Sequence, residues 1–243
     1  MKTHVFKNAW QVSQAAATMI AAQLLRKPDS ILGLATGSSP IPTYDALVAM
    51  YEAGVLDFFH ATSFNLDEYV GLAPEHPCSY HYFMQAHLFS RVNIRPENVH
   101  IPDGNAADVE TAARAYDEAI LSAGGIDLQL LGIGRNGHIG FNEPGDHFVY
   151  GCHRVALSGS TIAANKRFFD SEADVPRYAV SLGVGSIMQS RQVLLIATGE
   201  DKAEAVRQAL EGEVSPLWQA SILRTHPDVV FLLDVAAASR LTR

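Results

Sequence analysis

Leu130-Leu-Gly-Ile-Gly-Arg-Asn136-Gly-His138-Ile-Gly-Phe-Asn-Glu143-Pro-Gly145 begins as an apolar run that suits a buried strand. It then breaks at Gly132, Gly134 and Gly137, where the backbone must turn sharply or approach another group closely. An amide, an imidazole and a carboxylate follow at once: Asn136, His138 and Glu143. In α/β proteins ligands bind outside the carboxyl ends of the strands. A glycine-broken strand end crowded with polar side chains is therefore a site candidate.

Working outward, apolar runs and helical periodicities alternate. A short strand is expected at 2–6, a helix over 9–26 capped by Asn8, a buried strand at 30–35 and a helix over 41–53. A strand at 62–66 ends at Asp67-Glu68, and an aromatic-rich helix over 80–89 follows a loop at 71–78. The stripe Tyr80, Phe83, Met84 and His87 on that helix reads as core packing. A helix over 108–123 closed by Gly124-Gly125 leads to a strand at 126–131. Residues 146–160 read as irregular and 161–169 as helical. Buried strands at 193–197 and 229–233 flank a helix over 202–210. This rhythm implies βαβ units: an open, mainly parallel twisted sheet with helices on both faces. No repeat or linker interrupts it, so residues 1–243 are expected to form a single domain, with a lid within the long polar stretch 146–182.

Of the 243 residues, 48% are hydrophobic, enough for a sizeable core, and 18% are charged. The net charge of −8 argues against a nucleic-acid surface. Cys78 and Cys152 belong to no CxxC or His/Cys cluster, so no metal is expected. There is no apolar run of membrane-spanning length and no signal-peptide pattern, which points to a soluble cytoplasmic protein without a membrane partner.

Four stretches could carry chemistry. In Gly33-Leu-Ala-Thr36-Gly37-Ser38-Ser39-Pro40 a strand runs into hydroxyls and a proline-started helix with Ser39 as its cap, an anion site suited to phosphate. It is neither a Walker A loop nor a dinucleotide fingerprint. In Gly199-Glu-Asp-Lys202 the lysine falls in the first helical turn, where a bound anion would relieve its conflict with the helix dipole. In Asn165-Lys-Arg167-Phe-Phe169 the guanidinium is a phosphate clamp or a surface charge. In Phe64-Asn-Leu-Asp67-Glu68-Tyr69 a carboxylate pair ends a strand: a general base, a metal ligand or a cap. No activated Ser or Cys nucleophile and no cofactor motif appears. A base and an imidazole beside a phosphate pocket suit proton transfer on a sugar phosphate.

The stretches Leu34–Pro40, Phe64–Leu72, Glu75-His-Pro with Ser79-Tyr80, Gly134–Pro144, Ala164–Phe169, Gly183-Val-Gly185 and Gly199 with Lys202 resemble glucosamine-6-phosphate deaminases, in that family's order. The resemblance covers essentially the whole chain. It implies conversion of glucosamine 6-phosphate and water to fructose 6-phosphate and ammonia without metal or organic cofactor. It also implies a Rossmann-like fold related to ribose-phosphate isomerases. By motif, Asp67 matches the base that moves the C2 proton toward C1, His138 the ring-opening group, and Glu143 the carboxylate that assists it. Asn136 completes the catalytic set. Thr36, Gly37, Ser38, Ser39, Gly134, Gly137, Arg167 and Lys202 match substrate and phosphate contacts. Longer hexameric relatives carry an aspartate where this chain has Asn136, and a basic pair where this chain has Gly151-Cys-His153-Arg154-Val155; the chain also stops at Arg243. No effector activation is therefore expected, and a monomer is favoured over a homo-oligomer. The competing readings are a 6-phosphogluconolactonase and a non-catalytic sugar-phosphate sensor.

Overall fold

The structure, a computed structural model, describes residues 1–242 apart from the Ala164 side chain. Arg243, the chain end invoked for effector independence, lies outside the described residues. The strands are β1 (Lys2–Phe6), β2 (Ile31–Leu34), β3 (Thr62–Asn65), β4 (Asp67–Tyr69), β5 (Val99–His100), β6 (Leu128–Leu131), β7 (His153–Ala156), β8 (Tyr178–Ser181), β9 (Gln192–Ala197) and β10 (Val229–Asp234). The helices are α1 (Ala9–Arg26), α2 (Ile41–Glu52), α3 (Tyr80–His87), α4 (Val109–Ser122), α5 (Gly159–Asn165), α6 (Val184–Met188) and α7 (Ala203–Glu211).

Seven strands form one parallel sheet in the order β1-β10-β9-β6-β2-β3-β5. Strands β2, β6 and β10 are buried throughout, as near-continuous apolar runs in a covered parallel sheet should be. With this strand order, the right-handed rule for parallel crossovers places α1 and α2 on one face and α4 and α7 on the other. Helix α1 packs on α2 and across β9 and β10, burying Val12, Ala16, Ala17, Ile20 and Leu24. Its start is set by Asn8, whose side chain accepts a hydrogen bond from the Gln11 N–H.

From β2 the chain moves outward to β3. From β6 it moves the opposite way, to β9 and then β10. The reversal between β2 and β6 is a topological switch point, where a crevice opens at the carboxyl ends of the strands.

A second, antiparallel sheet, β4-β8-β7, was not expected. Asp67-Glu68 is not merely the end of the strand before it. After Leu66, whose N–H bonds to Leu34 and whose carbonyl accepts from Leu182, the chain crosses from the parallel sheet into β4. Residues 153–156, expected to be irregular, form β7, and Tyr178–Ser181 forms β8. These strands are only three or four residues long, and β7 is half exposed, so none presents a distinctive apolar period. Both lie within 146–182 and hold that stretch at two places; between them run α5 and two short 3-10 turns. No described helix is long and apolar enough to cross a membrane.

Candidate active site

A cavity of about 1060 Å³ opens at the switch point. It is lined after β2 by Thr36–Ser39, after β3 by Leu66 and by Asp67 at the start of β4, and after β6 by Gly132–Asn136 and His138. The segment after β9 contributes Thr198, Asp201 and Lys202, and the α5 region contributes Thr161 and Arg167. Four strand ends converge here because parallel strands all deliver their carboxyl ends to the same edge.

The loop after β6 is folded tightly. The Gly134 N–H donates to the His138 carbonyl and the Gly137 N–H to the Gly134 carbonyl. Gly137 has φ of 82°, the left-handed region that favours glycine. A Cβ on Gly134 would collide with the His138 ring, so the imidazole lies directly over bare backbone. Glycine here permits a close approach, as the sequence implied.

Within this loop Asn136 acts as a clamp. Its amide nitrogen donates to Glu143 Oε2 at 2.8 Å, and its carbonyl oxygen accepts from the His138 N–H at 3.3 Å. His138 Nδ1 lies 3.6 Å from Glu143 Oε2, an ion-pairing separation that is too long for a good hydrogen bond. Burial pushes the Glu143 carboxyl up. Interactions with His138, Thr161 and Asn136 outweigh it and hold the group down at about 2. Glu143 is thus a fixed anion behind the imidazole. It does not line the cavity but acts on it through His138 and Asn136.

Asp67, on β4, lines the same cavity and is buried. Burial and then the neighbouring Glu68 charge push its carboxyl up to about 8; among the described residues its side chain has one hydrogen bond, a long one of 3.5 Å from the Thr36 hydroxyl. The expected carboxylate pair divides. Alternation along the strand turns Glu68 away, where it accepts from the N–H groups of Tyr69, Tyr80 and His81 at 2.8–2.9 Å and caps α3. Glu68 is the cap and Asp67 the free carboxylate. Gly140 (φ 57°) lies against Ser181 beside Asp67, and the Ser181 hydroxyl accepts from the Phe141 N–H, pinning the β6 loop to the second sheet.

At the other end of the cavity stand cations. Arg167 donates to the Ser38 hydroxyl at 3.2 Å, joining residues 129 apart in sequence, and its guanidinium stacks on Phe168 at 4.7 Å. Lys202 ends the 3-10 turn Glu200–Lys202 and caps α7, so it precedes the helix whose first turn it was expected to occupy. Desolvation lowers its ammonium pKa, with Asp201 opposing and the charges of Arg135 and Arg167 adding to the fall. Lys202 therefore lies close enough to both arginines to feel their charge. Ser38 stands beside them through Arg167, and Gly37 and Ser39 line the cavity next to it, while the Thr36 hydroxyl points to Asp67.

Ser39 does not cap α2. The helix starts at Ile41 with Pro40 in the cap position, and Pro42 lacks the N–H that a serine cap at 39 would reach three residues on. Gly37 (φ 93°) makes the turn instead.

Among the lining residues that escaped the reading from sequence, two carry polar groups into the cavity's chemistry. Tyr80, expected to be core, stacks on Phe141 and also lines the cavity. Arg135 lines it and pairs with Asp201. The arginine stood in plain view inside the opening stretch, but only the fold brings the β9 loop beside it.

The family model described as glucosamine-6-phosphate isomerases/6-phosphogluconolactonase matches residues 7–231. A glucosamine-6-phosphate deaminase of Halothermothrix orenii is 50% identical over 241 residues, covering 99% of this chain and 100% of the relative. That of Rhodopirellula baltica is 52% identical over 231 residues, covering 95% of this chain and 92% of its own. A solved monomeric glucosamine-6-phosphate deaminase superposes with a TM-score of 0.96 at 44% identity, over 98% of this chain and 99% of the other. A 6-phosphogluconolactonase of Thermotoga maritima superposes at 0.75 with 23% identity, over 96% and 99%; at that identity the likeness is one of fold alone.

Proposed function

This chain belongs to the glucosamine-6-phosphate isomerase/6-phosphogluconolactonase family, and within it we propose that the protein is a glucosamine-6-phosphate deaminase acting through Asp67 and the His138–Glu143 pair. It converts glucosamine 6-phosphate and water to fructose 6-phosphate and ammonia. The observation that carries the residue roles is the placement of a buried carboxylate and a carboxylate-backed imidazole at one end of a cavity whose other end holds Arg167 and Lys202.

The phosphate binds at Thr36–Ser39, Gly134, Arg167 and Lys202, while Gly137, which lies against Trp218 and not on the cavity lining, serves by turning the loop. His138 takes the anomeric hydroxyl proton and returns one to the ring oxygen, opening the pyranose. Glu143, anionic throughout the working pH range, stabilises the imidazolium formed in that step and, with Asn136, holds its orientation. Asp67 then removes the C2 proton to give the enolamine and delivers a proton to C1. The resulting C2 imine is hydrolysed by water, releasing ammonia. The raised Asp67 pKa suits a base that must also give its proton back. The substrate's ammonium at C2 favours the ionised carboxylate on binding.

The protein acts as a single-domain monomer in the cytoplasm. Residues 157–177, held between β7 and β8, form a lid that brings Arg167 to the phosphate. Support for the monomer comes from the 0.96 superposition on a monomeric relative. Ammonia release from glucosamine 6-phosphate, measured beside hydrolysis of 6-phosphogluconolactone and with galactosamine 6-phosphate as a second substrate, tests the reading. Lactone turnover without ammonia overturns it.

A further inference from the structure

Asp201 poses a problem. A carboxylate lines the end of the cavity that takes a phosphate, where a negative charge opposes binding. The structure shows what it holds: Asp201 Oδ2 accepts from Arg135 Nε at 2.8 Å. Both partners are substantially solvent-exposed, at 68% and 43% of their side chains, so the pair is screened and worth little by itself. It is an easily exchanged contact between two loops, one after β6 and one after β9.

We propose that Arg135 is a third phosphate-binding cation, held at the cavity mouth by Asp201 and passed from that carboxylate to the phosphoryl group when substrate enters. The proposal rests on the deaminase reading for the identity of the substrate, but not for the presence of the anion site. The geometry supports it from three sides. Arg135 lies one residue from Gly134, at the end of β6, and lines the same cavity as Arg167 and Lys202. Its charge is close enough to Lys202 to be felt there. Each of the arginines has an exchangeable partner, Ser38 for Arg167 and Asp201 for Arg135, while Lys202 makes no ion pair among the described residues. Three cations and one carboxylate leave an excess of two positive charges, which a phosphate monoester of roughly −1.5 to −2 neutralises. An arginine fork engages such a group with two parallel N–H donors, a better match than one carboxylate oxygen through Nε.

The test uses Arg135→Ala, Asp201→Asn and the double variant. It reads KM and kcat for glucosamine 6-phosphate and, separately, inorganic phosphate binding by calorimetry. Arg135→Ala should weaken phosphate binding and raise KM about tenfold, as loss of a charged hydrogen bond does, with kcat nearly unchanged. Asp201→Asn should tighten phosphate binding, and most of that gain should vanish in the Arg135→Ala background. Unchanged phosphate affinity in Arg135→Ala overturns the proposal. So does an Asp201→Asn gain that survives whole in the double variant, because Asp201 would then act by charge alone and not by holding Arg135. Phosphate binding responds to these changes whether or not the amino sugar is turned over, so failure of the deaminase reading shows separately, as absent ammonia release by the unaltered protein.

Discussion

The two ends of the cavity are built on opposite principles. At one end Asp67, His138 and Glu143 are buried or nearly so and sit on strands or on a loop pinned by glycine contacts and by Asn136. At the other, Arg135, Arg167 and Lys202 come from three separate loops and carry replaceable or no ion partners. The first end has a high cost if misplaced: proton transfer needs heavy atoms within hydrogen-bond reach. On the proposed function the second needs only charge near a phosphate dianion, and cations carried on three loops supply it. Rigid chemistry paired with compliant binding is what the difference teaches, and substitution at the two ends should separate kcat from KM.

The sharpest break is Asp67→Asn. Turnover should fall by about a thousandfold or more, within the range for loss of a general base, while inorganic phosphate binding is retained. Near-normal kcat removes Asp67 from the base role. Next, Glu143→Gln should lower kcat by about a hundredfold, through loss of the charge behind the imidazole, with KM little changed. An effect on KM alone would move Glu143 to the binding end. Third, Lys202→Ala and Arg167→Ala should each raise KM by roughly tenfold or more with kcat largely kept. A matching fall in kcat would dissolve the contrast between the ends.

The smallest effect is on stability, and its sign is opposite to that on activity. Asp67 has a carboxyl near 8 when folded, against an ordinary value of 3.8, so the folded state binds its proton more tightly. That contribution is fully present below about pH 4 and is lost as pH rises toward 8. Asp67→Asn, which cannot ionise, should therefore melt at a higher temperature than the unaltered protein at pH 8, and the difference should shrink by pH 5. Equal melting temperatures at both pH values would show that the buried carboxylate carries no such penalty.

Much of the main sheet was legible beforehand. Its central strands are apolar runs with Gly, Asn or Pro punctuation, and helix α1 has both its cap and its buried stripe in the sequence. The antiparallel sheet was not. Its three strands are short, and each is stabilised by partners distant along the chain: Asp67 by Ser181, His153 also by Ser181. Local periodicity carries no record of such pairing.

The site divides the same way. The kinds of group present, namely base, imidazole, anion and cations, were determined by the sequence itself, because chemistry belongs to side chains and glycine breaks mark where backbone must turn. The resemblance of its motifs to one family was also a property of the chain alone. Only the tertiary structure decided which of Asp67 and Glu68 faces the cavity, that Tyr80 lines the site, and that Arg135 meets Asp201. The physical reason is common to all three: each depends on what the fold places opposite in space, and for Arg135 and Asp201 that neighbour is 66 residues away in sequence.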